Sequence, residues 1–71
     1  MENPSLTLAM QRRDEWLSRN ANYAFGHSQP TAKLCLYKLD DERIPFDSES
    51  VNVEDPEDQA RAIHALLDRN L

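Results

Sequence analysis

Apolar residues recur every three or four positions at both ends of the chain and alternate with polar ones in the middle. That pattern predicts the order helix, strand, strand, helix. In the first segment Leu6, Ala9, Met10, Trp16, Leu17, Ala21 and Ala24 keep the helical spacing, broken only at Arg13. Asn3 before Pro4 offers an N-cap with proline in the first turn, where its missing N–H costs nothing. Glu15 stands four residues before Arg19, the favourable order for a helical ion pair. The single glycine, Gly26, falls where a left-handed C-cap is wanted, and Pro30 follows it. A helix over about 4–25 is therefore expected, although Asn20 and Asn22 weaken its last turns and offer an earlier stop near Asn20.

From Thr31 to Leu39 the period changes to two. Ala32, Leu34 and Leu36 fall on one face, and Lys33, Cys35, Tyr37 and Leu39 on the other. A strand apolar on both faces is covered on both, or is covered on one and used for contact on the other. Asp40-Asp41-Glu42-Arg43 reads as a polar turn. A second strand is expected over about 44–53, where Ile44-Pro45-Phe46 and the alternating Val51 and Val53 bracket a polar stretch. Pro45 cannot donate to a ladder, which makes that strand an edge or a bulge. The last segment is the clearest. Asp55-Pro56-Glu57-Asp58 supplies an N-cap, a first-turn proline and two acids suited to the positive end of a helix dipole. Ala60, Ile63, Leu66, Leu67 and Leu71 then share one face of a helix over about 56–70, with Glu57 and Arg61 spaced as a flanking pair.

With 71 residues the chain has room for one core. The fold class expected is α+β, a two-stranded antiparallel hairpin packed by two helices, residues 1–71 forming a single domain. A lone hairpin is marginal in water. Small domains without disulfide or metal often add a second copy. A homodimer is therefore expected, joined through the free hairpin edge or the Leu34/Leu36 face. The single cysteine, Cys35, cannot close an internal bridge, which suits a reducing compartment. Met1-Glu2-Asn3-Pro4 has neither a basic start nor an apolar run, and no stretch has the length of a membrane span, so a cytoplasmic location is expected.

Charge is distributed unevenly. Residues 1–30 balance three arginines against three acids, so the whole net charge of −5 lies in residues 31–71. Between Asp40 and Asp58 nine carboxylates face Arg43 alone, a net of −8. Such density costs stability through repulsion and speeds encounter with a basic surface. The bland account is a solvated turn plus a well-capped helix. The functional account is a partner-binding surface formed by Asp40, Asp41, Glu42, Asp47, Glu49, Glu54 and Asp55. Direct nucleic-acid binding fares badly, because Arg12-Arg13 is the only adjacent basic pair and Asp14-Glu15 follow it.

Chemistry finds little support. Cys35 with His27 or His64 has the residue types of a nucleophile and base, but a thiol in mid-strand among apolar residues is expected to be buried and inert. His64, four residues before Asp68, is accounted for by a helix-surface pair. Asp47, Glu49 and Asp58 match positions 1, 3 and 12 of a calcium loop, yet Val51 and Asn52 stand where a ligand and a glycine are needed. The two histidines and one cysteine fit no zinc spacing, and one glycine makes no phosphate loop; no metal or cofactor is expected. Trp16 has two readings, core residue with Met10 and Leu17, or interface anchor beside Arg12 and Arg13. The leading expectation is a non-enzymatic regulatory or inhibitory module, its acidic surface over about 40–58 docking on a basic protein. The alternative is an assembly subunit contacting through an apolar face, with the acids serving solubility.

Overall fold

Three asparagines and an aspartate set the limits of the helices, Asn3 and Asn20 for the first and Asp55 and Asn70 for the second. In the computed structural model, which describes residues 3–28, 32–41 and 44–70, α1 spans Pro4–Arg19 and α2 spans Pro56–Arg69. Asn3 caps α1, its Oδ1 accepting from the amides of Ser5 and Leu6 at 3.0 and 3.2 Å. Asp55 caps α2 by accepting from the Glu57 amide at 3.0 Å. At the end of α1, the Asn20 amide donates to the Leu17 carbonyl and its side chain donates to the Trp16 carbonyl at 2.8 Å. Those two bonds use carbonyls that a longer helix would need, and the chain turns back at Asn20, whose carbonyl accepts from the Tyr23 amide.

The expected first helix over 4–25 is therefore too long, and the earlier stop at Asn20 is the one adopted. Residues Tyr23–Ser28 form strand β1, in which Gly26 is an ordinary strand residue without positive φ and not a helix cap. Strand β2 covers Lys33–Lys38 and β3 covers Asp47–Ser50, both shorter than the expected 31–39 and 44–53. The sheet has three antiparallel strands in the order β1-β2-β3, so α-β-β-β-α replaces the two-stranded hairpin while the α+β class stands.

Register assigns the faces, because residues directly opposite in an antiparallel pair share a side. Phe25, Leu36 and Asp47 make one row and His27, Leu34 and Glu49 the next, on the side covered by the helices. Gly26, Cys35 and Ser48 form a row on the other side. There the Tyr37 ring lies over Gly26, 3.4 Å from where a Cβ would stand, and helps screen the buried Cys35.

The core lies between sheet and helices. Helix α2 contributes Ala60, Ala62, Ile63, Leu66 and Leu67, which meet Leu34 and Leu36 of β2, Val51, and Ala9 and Trp16 of α1. The Leu34/Leu36 face is thus closed by α2, which removes one of the two expected routes to a dimer. Trp16 takes the core reading. It is 8% exposed, stacks at a tilt on Tyr23 and Phe25 with centroids 5.3 and 6.1 Å away, and donates Nε1–H to the Asn70 carbonyl at 3.3 Å. Placed there it joins α1, β1 and the end of α2, and is not an exposed anchor.

Leu66 is fully buried and Ile44 is 69% exposed, so truncating them should have opposite consequences. Leu66→Ala should lower the unfolding free energy by about 2–5 kcal/mol, a large part of what so small a domain has. Ile44→Ala should stay within about 0.5 kcal/mol of the parent. Urea denaturation followed by circular dichroism checks both.

Candidate contact surface

The carboxylates divide into two groups according to what they meet. On β3, Asp47 and Glu49 alternate in the strand and so both turn toward the helix-covered face, where arginines of α2 receive them. Arg69 donates Nε–H and Nη2–H to Asp47, each at 3.1 Å, and Nη1–H to Glu49 at 2.7 Å. Arg61, two turns earlier on α2, donates to Glu49 at 2.8 Å and to Asp58 at 2.7 Å. The same guanidiniums reach the main chain of β3, Arg69 the Ser48 carbonyl at 2.8 Å and Arg61 the Ser50 carbonyl at 2.6 Å. Asn70 adds a bond to Asp47 at 3.0 Å.

Shared in this way, the cluster is a staple between α2 and the edge of the sheet. Hydrogen bonds from Arg69 hold the Asp47 carboxyl below its ordinary range, with help from Asn70 and the Ser48 amide against some desolvation. Arg69, then Arg61, lower Glu49, and Arg61, then the Asn52 amide, lower Asp58. Asp47, Glu49 and Asp58, the three positions of the rejected calcium-loop spacing, are linked to one another through Arg61 and Arg69. Among the described residues no group of three or more His, Cys, Asp or Glu is placed to hold a metal ion.

Other acids also serve the fold. Asp55 is the α2 cap, and Glu57 accepts from Asn3 at 3.1 Å, tying together the starts of the two helices. The expected Glu57–Arg61 pair is replaced by Arg61 with Asp58 and Glu49. Nor does His64 pair with Asp68. Arg12 of α1 spans both, donating to His64 Nδ1 at 2.9 Å and forming an ion pair with Asp68. Cys35 and His27 lie on opposite faces of the sheet by register, so the sheet does not present them as a nucleophile and base.

Asp40, Asp41 and Glu54 remain on the exterior, while Glu42 lies outside the described residues. Asp40 and Asp41 stand at the β2–β3 connection beside large apolar side chains that the core does not use. Leu39 is 51%, Ile44 69% and Phe46 49% exposed. Phe46 meets Tyr23 edge-on at 5.7 Å, and the Lys38 ammonium sits 4.9 Å from its ring centroid. Shallow depressions run along this end of the sheet. One is lined by Asn22, Tyr23, Lys38, Leu39 and Asp40, and its neighbour by Lys38, Asp41, Ile44, Pro45 and Phe46. Aromatic and aliphatic anchors ringed by charge are what a protein-binding patch contains. From sequence, Leu39, Ile44 and Phe46 read as residues of the two expected strands, whereas β2 ends at Lys38 and β3 begins at Asp47, leaving all three outside the strands; the signal available was their position on either side of the polar turn at 40–43.

Comparison with protein families, with curated proteins and with solved structures returned no match. Among the described residues no helix is long and apolar enough to cross a membrane.

Replacing Arg69 by Gln should weaken the staple. The pair is partly solvated, so the expected loss is modest, roughly 0.5–1 kcal/mol at neutral pH. Folded-state values for Asp47, Glu49 and Asp58 lie below the ordinary 3.8, 4.5 and 3.8, so their contribution is complete above those values and disappears as pH falls through the folded ones. The gap between parent and Arg69→Gln melting temperatures should therefore close as pH is lowered below about 4. A gap that stays constant into acid would contradict the assignment.

Proposed function

We propose that this chain is a non-enzymatic protein-binding module, regulatory or inhibitory in kind, that docks the β2–β3 end of its sheet on a basic surface of another protein. One observation carries the reading. Leu39, Ile44 and Phe46 stand exposed at one end of the sheet, Phe46 in contact with Tyr23 and Lys38, and Asp40 and Asp41 line the same two depressions. The apolar trio supplies affinity by desolvation, and the acids steer encounter and reject acidic surfaces. Work in the cytoplasm belongs to the same proposal, with Cys35 buried and free.

The carboxylates of the staple are not part of this contact, because their oxygens already accept from Arg61 and Arg69. That narrows the contact from the whole 40–58 stretch to its beginning. A second reading rests on the same apolar residues: an assembly subunit in which the trio makes the joint and the acids only keep the chain dispersed.

A photo-crosslinking residue at position 46, in cells of the source organism, should capture a basic protein that the same residue at position 8, on exposed α1 surface, does not. With that partner purified, Phe46→Ala should weaken binding about tenfold or more. The double change Asp40→Asn and Asp41→Asn should slow association several-fold at low salt and little at high salt. Capture from position 8 alone, or unchanged affinity with Phe46→Ala, overturns the proposal. Loss with Phe46→Ala but no salt dependence selects the assembly subunit.

A further inference from the structure

The two edges of the sheet are treated differently. β3 is four residues long, and its outward carbonyls at Ser48 and Ser50 accept from Arg69 and Arg61. Charged side chains on an edge and a covered main chain are standard ways of keeping a strand from pairing with another chain. β1 has neither. It reads Tyr-Ala-Phe-Gly-His-Ser, with no proline, no acid and no lysine or arginine.

Its main-chain polarity follows from one hydrogen bond. The Asn22 carbonyl accepts from the Leu39 amide at 2.7 Å, so Asn22 faces β2. By alternation Ala24, Gly26 and Ser28 do the same, and the amide and carbonyl groups of Tyr23, Phe25 and His27 face away. The Tyr23 amide is used by the Asn20 carbonyl. Among the described residues nothing meets the main chain of Phe25 or His27 on that side, although Phe25 is half-buried and His27 exposed.

We infer that a second copy of this chain pairs along this edge, β1 against β1 about a two-fold axis opposite Phe25. The occupant follows from sequence symmetry and charge. In that register Phe25 falls opposite its own copy and Tyr23 opposite His27, all on the helix-covered side. Ala24 falls opposite Gly26 on the other side, small against small. A cleft of about 160 Å³ lies beside this edge, lined by Leu6, Met10, Phe25, His27 and Ile63 among others, and pairing would place an aromatic ring at its mouth. Two copies of a chain with net charge −5 repel one another over most of their surface, but residues 1–30 carry equal numbers of acids and arginines. Pairing at β1 brings the neutral parts together and leaves β3, with the acidic segment, at each outer end of one continuous sheet. An isologous contact of this kind closes at two copies and does not grow into a fibre. The inference is independent of the β2–β3 contact proposed above.

Sedimentation equilibrium of the purified chain across a concentration series should show exchange between one and two chain masses. His27→Pro removes an outward amide and puts a ring against the incoming strand, while leaving the ladder to β2 intact. It should raise the dimer dissociation constant about tenfold or more. Should that variant fold poorly, amide exchange on the unaltered chain provides the same test. Phe25 and His27 should become more protected as concentration rises, and Ser48 and Ser50 should not. A single chain mass throughout with concentration-independent exchange overturns the inference. So does a dimer whose dissociation constant His27→Pro leaves unchanged, since its contact then lies elsewhere.

Discussion

Helix α2 must satisfy two unlike surfaces at once, and the rest of the molecule is arranged around that requirement. Its apolar stripe, Ile63, Leu66 and Leu67 with Ala60 and Ala62, closes the core against Leu34 and Leu36. Its flank carries Arg61 and Arg69, which need acceptors and find them on β3. A four-residue strand reading Asp-Ser-Glu-Ser has almost no apolar content with which to hold its place. It is held because the pleat turns Asp47 and Glu49 toward α2, where the arginines bond both their side chains and the neighbouring carbonyls. Hydrophobic burial positions the helix, and the charge network then fixes the edge of the sheet.

Seen from that network, the negative charge of the segment is not one field. Asp47, Glu49 and Asp58 are used locally, Asp55 is a cap, and Glu57 is bonded to Asn3. Asp40 and Asp41 of the β2–β3 connection stand next to the exposed Leu39, Ile44 and Phe46, and the exposed Glu54 follows Val53. Leu39, Ile44 and Phe46 expose area at that connection whose removal from water is favourable at roughly 25 cal/mol per Å², so the contact proposed above has a source of affinity other than charge. A contact built from both kinds of residue gains rate from one and lifetime from the other.

Much of this was legible in the chain. The second helix, its cap and its buried stripe follow from the Asp-Pro start and the spacing of Ile63, Leu66 and Leu67, and β2 follows from the alternation around Leu34 and Leu36. β1 was hidden because Ala21 and Ala24 extend the stripe of α1 by one more turn, so periodicity favoured helix where Asn20 ends it by bonding the carbonyls of Leu17 and Trp16. The alternation of Tyr23 and Phe25 with Ala24 and Gly26 was the competing signal. β3 lies within the expected 44–53, whose limits are too wide, out to Ile44 and Val53, for a related reason. Hydrophobic alternation marks strands that bury one face in apolar surroundings, and this one buries carboxylates against arginines instead. Counting charges along the sequence gave the density of acids correctly but could not pair them, since Arg61 and Arg69 lie 12 and 20 residues from Glu49.

The binding of Asp47, Glu49 and Asp58 by the arginines of α2 is open to direct observation. Carboxyl carbon resonances of every Asp and Glu can be followed by NMR through an acid titration of the folded chain. Asp47, Glu49 and Asp58 should titrate below the ordinary 3.8, 4.5 and 3.8, with the Arg61 and Arg69 Nε–H signals shifting in step. If those three carboxyls titrate at their ordinary values and the guanidinium signals do not respond, α2 does not hold β3 in the way described.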